Sequence, residues 1–302
     1  MKTHFPKAST PLRYPGGKSR GKLFDAVMKC FSKMSFTGRE YREPFFGGGG
    51  IGIGLLPKLH SEGAKMWIND FDAQIAALWT SIIRYPEELK GRIDTFQPTV
   101  DSFETYKSFL LDPAQSRYDP ENVDTTVDLG FAKLVANKLS FSGLGVMGRV
   151  LGGKEQRSEY KVDCRWNSDS LKNKVTTLNR WWAERVPIVD NRCTSYDFTE
   201  VIGGSAPAVL YCDPPYYEKG GVIYPHSFDH GDHIRLMTSL KESPHPFVLS
   251  YDNHPAVVEM YAGWATVELT QEIPYTIMNN QKDRETGESV LRKKSELIVY
   301  RA

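Results

Sequence analysis

The chain has 302 residues, 40% of them apolar and 25% charged, with a formal net charge of +1. That length suits one large α/β domain with a sizeable insertion, or two modest domains, and the composition is that of an ordinary soluble globular protein. No run of eighteen apolar residues argues for a transmembrane helix, and Met1–Thr10 lacks the apolar core of a secretory signal, so a cytoplasmic location is expected.

In chain order, a polar opening leads to Arg13-Tyr14-Pro15-Gly16-Gly17-Lys18, and Leu23, Phe24, Val27, Phe31 and Met34 then fall on one face of a helix. Tyr41–Phe45 reads as a short strand that runs into Gly47–Gly50, followed by a helix through Ile51, Ile53, Leu55, Leu56 and Leu59. Lys65–Ile68 reads as a second strand ending at Asn69-Asp70, with a helix through Ile75, Leu78, Ile82 and Ile83 after it. Strand, glycine turn, helix, strand, acid and helix is the opening of a doubly wound parallel sheet. From Pro86 to Asp128 the chain turns polar and proline-bearing, Leu129–Leu139 reads as helix, and Ser140–Arg165 reads as an irregular glycine-rich loop. Ser168–Arg185 is helical again. Pro187–Val189, Ala208–Cys212 and Phe247–Ser250 read as strands, with helices ending near Leu240 and spanning Pro255–Tyr261, and Ala265–Ile273 with Glu296–Tyr300 reads as a closing antiparallel pair. The simplest architecture is one sheet domain built from both ends of the chain (1–85 and 187–302) with a mainly helical second domain inserted over 86–186.

The near-neutral charge gives no support for a dedicated basic nucleic-acid binder, but it leaves room for a local basic face. Lys138 to Arg185 holds ten basic residues against five acids, which is such a local excess. The four cysteines (Cys30, Cys164, Cys193, Cys212) form no CxxC pair and no Cys/His cluster with zinc spacing, so free buried thiols and no metal are expected.

Two motifs carry chemistry. Gly47-x-Gly49-x-x-Gly52 lies between a strand and a helix, where a ligand approaches the backbone closely, and Asp70 follows about twenty residues on, placed to accept from ribose hydroxyls. Alone, this pattern fits a nicotinamide oxidoreductase, a methyltransferase or merely a tight turn. Gly16-Gly17-Lys18 precedes the first strand and lacks the spacing of a phosphate-cradling loop. The second motif is Asp213-Pro214-Pro215-Tyr216 at the end of the apolar strand Ala208–Cys212. Two prolines stiffen the backbone and remove two N–H donors, leaving a carboxylate, a carbonyl oxygen and an aromatic ring. That edge suits an exocyclic amine. It accepts both amine hydrogens, favours a tetrahedral nitrogen and stabilises the positive charge that develops there.

Together these residues resemble the Dam-type, or D12-class, DNA adenine N6-methyltransferases, from about Leu12 to Tyr300. The resemblance implies a Rossmann-like S-adenosylmethionine-dependent methyltransferase sheet with an inserted target-recognition domain. Arg13–Lys18 resembles the family's N-terminal cofactor motif, with Tyr14 and Pro15 in place of Trp and Ala; Glu43-Pro44-Phe45-Phe46-Gly47-Gly48-Gly49 resembles its glycine loop; Ile68-Asn69-Asp70 resembles its ribose motif. The resemblance implies cofactor contacts from Tyr14, Gly16, Gly17, Lys18, Glu43, Pro44, Phe45, Gly47, Gly48, Gly49, Asp70 and Asp213, and, through a looser match, Asp197 and Phe198. Asp213, Pro214, Pro215 and Tyr216 take the catalytic role. Ser227-Phe228 with His233, and Ser250-Tyr251-Asp252-Asn253, resemble the segments after the catalytic motif. Asn137, Phe141, Ser142, Gly143, Arg149, Lys154, Arg157 and Lys161 fall where the family reads DNA, with Arg149 or Arg157 able to meet a guanine edge and Phe141 able to fill the gap left by an extruded adenine.

The resulting expectation is a site-specific methyltransferase acting on adenine N6 in double-stranded DNA, bacterial or phage-encoded, monomeric, with a restriction endonuclease as a potential partner. The alternatives are methylation of cytosine N4 or of an RNA amine, and a catalytically silent DNA-binding relative.

Overall fold

The computed structural model describes residues 9–13, 21–114, 117–189, 193–218, 227–270, 273–274 and 293–302. In chain order the elements are α1 (Lys22–Phe31), β1 (Glu40–Glu43), α2 (Gly50–Ser61), β2 (Lys65–Ile68), α3 (Ala73–Arg84), α4 (Pro86–Thr95), α5 (Val100–Leu111), α6 (Val123–Leu139), α7 (Ser168–Glu184), α8 (Phe198–Ile202) and β3 (Ala208–Cys212). They continue with α9 (His230–Glu242), β4 (Phe247–Asp252), α10 (Pro255–Tyr261), β5 (Thr266–Leu269), β6 (Ile273–Pro274), β7 (Lys293–Lys294) and β8 (Glu296–Arg301). None of the described helices is long and apolar enough to cross a membrane.

The six-stranded sheet runs β2-β1-β3-β4-β8-β5. Its first four strands are parallel, and β8 enters antiparallel between β4 and β5. Every residue of β3 and the first five of β4 are buried, as expected of central strands covered on both faces, and this is why both read as continuous apolar runs. Strand order reverses at β1: β2 lies on one side and β3 on the other. In open α/β sheets the crevice at such a reversal, beyond the carboxyl ends of the strands, is where ligands bind.

Pro187–Val189 does not extend into a strand. It contributes one parallel bridge, Ile188 to Met66, and Thr194 makes another to Asn69. The polar stretch after Pro86 holds two helices that sequence periodicity missed, because its polar and proline residues are helix starts. Pro86 opens α4 at its first turn, and Thr99 and Ser102 form a reciprocal capping box that opens α5. α6 begins at Val123, six residues before its apolar pattern becomes visible, because Asn122 caps it and its first turns carry polar residues, with Asp124 and Thr125 exposed. The core is continuous from the sheet into the inserted helices: Tyr41 and Val209 belong to the same apolar cluster as Leu89, Phe103, Phe131, Leu134, Val175 and Trp181.

Candidate active site

β1 and β3 end side by side at the reversal point, with Arg42 facing Leu210 across the pair. β1 ends on Glu43 and runs into Pro44 and the glycine loop, while the segment after β3 carries Asp213.

The loop is held by side chains from β2 and α3. Asp70 accepts the Gly47 N–H at 2.7 Å and the Asp72 N–H at 2.9 Å. Trp79, fully buried on α3, donates its indole N–H to the Gly47 carbonyl at 2.9 Å. Gly47 and Gly49 adopt positive φ (48° and 68°), which lets the chain turn back from β1 into α2 without a Cβ in the way. The acid twenty-three residues beyond Gly47 thus builds the loop. Each carboxylate oxygen has a second lone pair, so the same oxygens retain acceptor capacity for hydroxyls.

Glu43 is completely enclosed beneath the loop, with Oε2 accepting from the Tyr41 hydroxyl at 2.6 Å and the carboxylate also accepting the Gly52 N–H. It braces the start of α2 from below. Burial pushes its carboxyl well above the usual carboxylate range, with Asp213 and Asp70 adding repulsion. Burial, reinforced by Asp72, likewise pushes Asp70 up to about 7. Three carboxyl groups therefore converge at the crevice, and neighbouring acids add to the cost that burial puts on ionising Glu43 and Asp70.

Asn69 was quoted only as the residue before the acid, yet it fixes the whole mouth. Its Nδ2 donates to the carbonyls of Pro44 (2.9 Å) and Tyr196 (3.1 Å), and its Oδ1 accepts from Thr194 Oγ1 (2.7 Å) and the Tyr196 N–H (2.9 Å). Phe45, Phe198 and Phe228 meet there with ring centroids 5.4 to 5.7 Å apart, forming an apolar aromatic wall. Asp197 has a structural role beside it. Its carboxylate caps α8 through Thr199 and receives both 2.9 Å bonds from Arg235 Nη2, which holds the pKa below the ordinary value against the opposing effect of burial.

At the end of β3, Asp213 is half-buried and its Oδ1 accepts from Ser250 Oγ at 3.0 Å. Pro214 is buried, and Pro215 and Tyr216 are half-buried. The Tyr216 hydroxyl donates to Glu296 Oε2 at 2.5 Å, which fixes the ring against β8. Tyr217, not singled out in the sequence, is more tightly held: its ring stacks on His254 at 4.4 Å and its hydroxyl lies 2.8 Å from His230 Nδ1. Tyr14, Gly16, Gly17 and Lys18 lie outside the described residues.

The residues expected to read DNA divide into two groups. Arg149, Lys154, Arg157 and Lys161 are exposed on the loop between α6 and α7, and the Lys161 amine donates to the Gln156 carbonyl of the same loop. Phe141 is 57% exposed, next to Ser142, which holds the left-handed φ of 57° that non-glycine residues rarely adopt. Asn137 and Gly143 are buried instead. The Asn137 amide is fully engaged with Arg13 and Gly143, and a Cβ on Gly143 would lie 2.4 Å from the Arg13 carbonyl oxygen. These two residues position their surroundings and do not face outward.

Around that junction Arg13 joins three cations of the Lys138–Arg185 basic stretch, Lys138, Arg165 and Lys174. Lys174 Nζ donates to the Thr10 carbonyl (3.2 Å), Arg165 Nη1 to the Ser140 carbonyl (3.1 Å), and Lys138 follows the Asn137 that grips Arg13. None of the four forms an ion pair among the described residues. Burial, with repulsion from Lys174, Arg13 and Arg165, lowers Lys138 to about 8.

A family model described as D12 class N6 adenine-specific DNA methyltransferase matches residues 14–279. Among solved structures, the fold is similar to the rRNA methyltransferase aviRa from Streptomyces viridochromogenes, with a TM-score of 0.36 and 13% identity over 95% of this chain and 87% of that one. No curated protein sequence matches the chain. Since the family match runs through the glycine loop, Asp70 and Asp213 and covers most of the chain, this protein belongs to the D12 class of N6 adenine-specific DNA methyltransferases.

Proposed function

We propose that the enzyme transfers the methyl group of S-adenosylmethionine to adenine N6 at a specific site in double-stranded DNA. The observation that carries this reading is the position of Asp213: half-buried, at the carboxyl end of β3 beside β1, close enough to Glu43 for the two carboxyls to repel, and oriented by Ser250.

The residues present fit the cofactor. Asp70 and Asp213 bring carboxyl oxygens to one crevice, which suits a ligand bearing a sulfonium and an ammonium group, and such a cation would favour the ionised form of Asp70. The aromatic wall of Phe45, Phe198 and Phe228 suits a flat heterocycle, and Asp70 keeps acceptor capacity for ribose hydroxyls. By resemblance, Tyr14 and Lys18 complete the site, with Pro44 and Gly48 lining the loop. When bound, S-adenosylmethionine supplies an electrophilic methyl group.

The chain's own work is on the amine. Asp213 and the Pro214 carbonyl accept the two N6 hydrogens, which localises the nitrogen lone pair and stabilises the charge that grows there. Tyr216 stacks on the base. Holding amine and cofactor in fixed relation lowers the barrier further. The exposed basic loop, together with Arg13, Lys138, Arg165 and Lys174, offers charge for the duplex backbone, and Phe141 stands exposed to fill the space an extruded adenine leaves.

The test is incubation with tritiated S-adenosylmethionine and unmethylated duplex DNA, followed by digestion to nucleosides. The expected result is label in N6-methyldeoxyadenosine from the wild type and none from Asp213→Ala, with both proteins melting at similar temperatures. Near-normal turnover by Asp213→Ala would remove Asp213 from the chemistry, and label in N4-methyldeoxycytidine would overturn the target base.

A further inference from the structure

Ser250 and Asp252 lie two residues apart on β4, the strand next to β3, so the period of two places them on the same face. Ser250 is completely buried. Its hydroxyl donates to Asp213 Oδ1 at 3.0 Å and lies 2.9 Å from the Tyr211 hydroxyl. Asp252 acts at the other end of the same turn: Oδ1 accepts the Tyr217 N–H and Oδ2 the Glu218 N–H, each at 2.9 Å. One short stretch of β4 therefore grips the segment from Asp213 to Glu218 at both ends.

The chemistry of the segment explains why it needs an outside grip. Pro214 and Pro215 have no N–H, so two donors that could lock a turn from within are missing. The prolines restrict φ but leave the direction of the Pro214 carbonyl to be set at the ends, and the Tyr216 ring, held at its hydroxyl by Glu296, takes its backbone position from the same turn. Tyr217 is further immobilised by stacking on His254, which follows Asp252 by two residues.

We propose that Ser250 and Asp252 are positioning residues for methyl transfer: Ser250 sets the rotation of the Asp213 carboxylate, and Asp252 sets where the turn presents the Pro214 carbonyl and the Tyr216 ring to the target amine. This inference rests on the reading of Asp213-Pro214-Pro215-Tyr216 as the amine-binding turn.

Single-turnover methyl transfer by the full chain tests it, with binding measured separately. In Asp252→Ala the rate falls about 10²-fold, the scale that a displacement of about one ångström costs a reacting centre. Asp252→Asn keeps one acceptor oxygen and recovers part of the loss, while Ser250→Ala loses about tenfold, as expected for one charge-assisted hydrogen bond. DNA and cofactor affinities stay near those of the wild type, and so does the melting temperature of Asp252→Ala, whose freed amides are open to water, while Ser250→Ala melts lower because the buried Tyr211 hydroxyl loses that partner. A rate equal to wild type in Asp252→Ala, or a loss that follows DNA affinity alone, overturns the proposal. Amide hydrogen exchange gives a second readout that needs no activity: the Tyr217 and Glu218 amides are protected in the wild type and lose protection in Asp252→Ala. Equal exchange in the two proteins overturns the clamp. A wild type that methylates no DNA overturns the functional reading instead, and the exchange result still decides the clamp.

Discussion

The side-chain amide of Asn137 holds the backbone of Arg13 as a strand partner would: Oδ1 accepts the Arg13 N–H and Nδ2 donates to the Arg13 carbonyl, both at 2.8 Å, across 124 positions of sequence. Nδ2 also donates to Gly143 at 3.0 Å. One buried residue on α6 thereby ties the segment entering Tyr14–Lys18 to the turn that displays Phe141.

Asn137→Ala leaves the Gly143 carbonyl and the Arg13 amide without their partner in a buried site. An unsatisfied buried group costs about 1–3 kcal/mol, so a loss of that order or somewhat more is expected in urea unfolding. Because Arg13 opens the segment proposed to contact the cofactor, S-adenosylmethionine affinity measured by calorimetry should also fall. Unchanged stability and affinity would mean that the Arg13 segment is held by other contacts.

Asp70 should make the cofactor-free protein sensitive to pH. Burial and Asp72 raise its folded pKa from 3.8 to about 7. Between those values the folded state holds the extra proton, so this contribution favours folding below about pH 4 and is lost as pH rises through about 7. Melting temperatures across pH 5 to 8 should show a decline in wild type that is smaller in Asp70→Asn. A saturating cationic ligand should flatten the wild-type decline by stabilising the ionised form. Identical profiles for wild type and Asp70→Asn would refute the assignment.

The cations near Asn137, which form no ion pair among the described residues, should meet phosphate. Replacing Arg165 or Lys174 by Gln should weaken binding to duplexes of any sequence and reduce the slope of log affinity against log salt by about 0.9 per lost contact, while Lys65→Gln, at the opposite end of the sheet, changes neither. Lys138, lowered to about 8, should take up a fraction of a proton on binding DNA near that pH, since a phosphate favours the ammonium form. Calorimetry in buffers of different ionisation heat reads this uptake, and Lys138→Met should abolish it.

Much of the site could be read from the chain because its chemistry is local. A glycine loop between a strand and a helix, an acid after the next strand, and Asp213-Pro214-Pro215-Tyr216 closing an apolar strand each declare themselves within a few residues. The alternation of strands and helices likewise determined the four parallel strands, since each is short and bounded by turn residues and the central β3 and β4 are buried apolar runs. Periodicity failed where polar residues and proline open a helix, as at the starts of α4, α5 and α6.

Only the tertiary structure decided how these parts are held. The partners of Asp70, Asn137, Ser250 and Asp252 lie between 2 and 124 positions away, and nothing in a linear pattern distinguishes an acid that builds a loop, as Asp70 does, from one that simply faces a ligand. The same holds for Asn137, whose amide suits base recognition equally well until its burial shows that both ends are in use. Composition and spacing select residue types capable of the chemistry. Which of them act on a ligand and which hold the others in place depends on burial and on hydrogen bonds between distant segments, and these exist only in the folded chain.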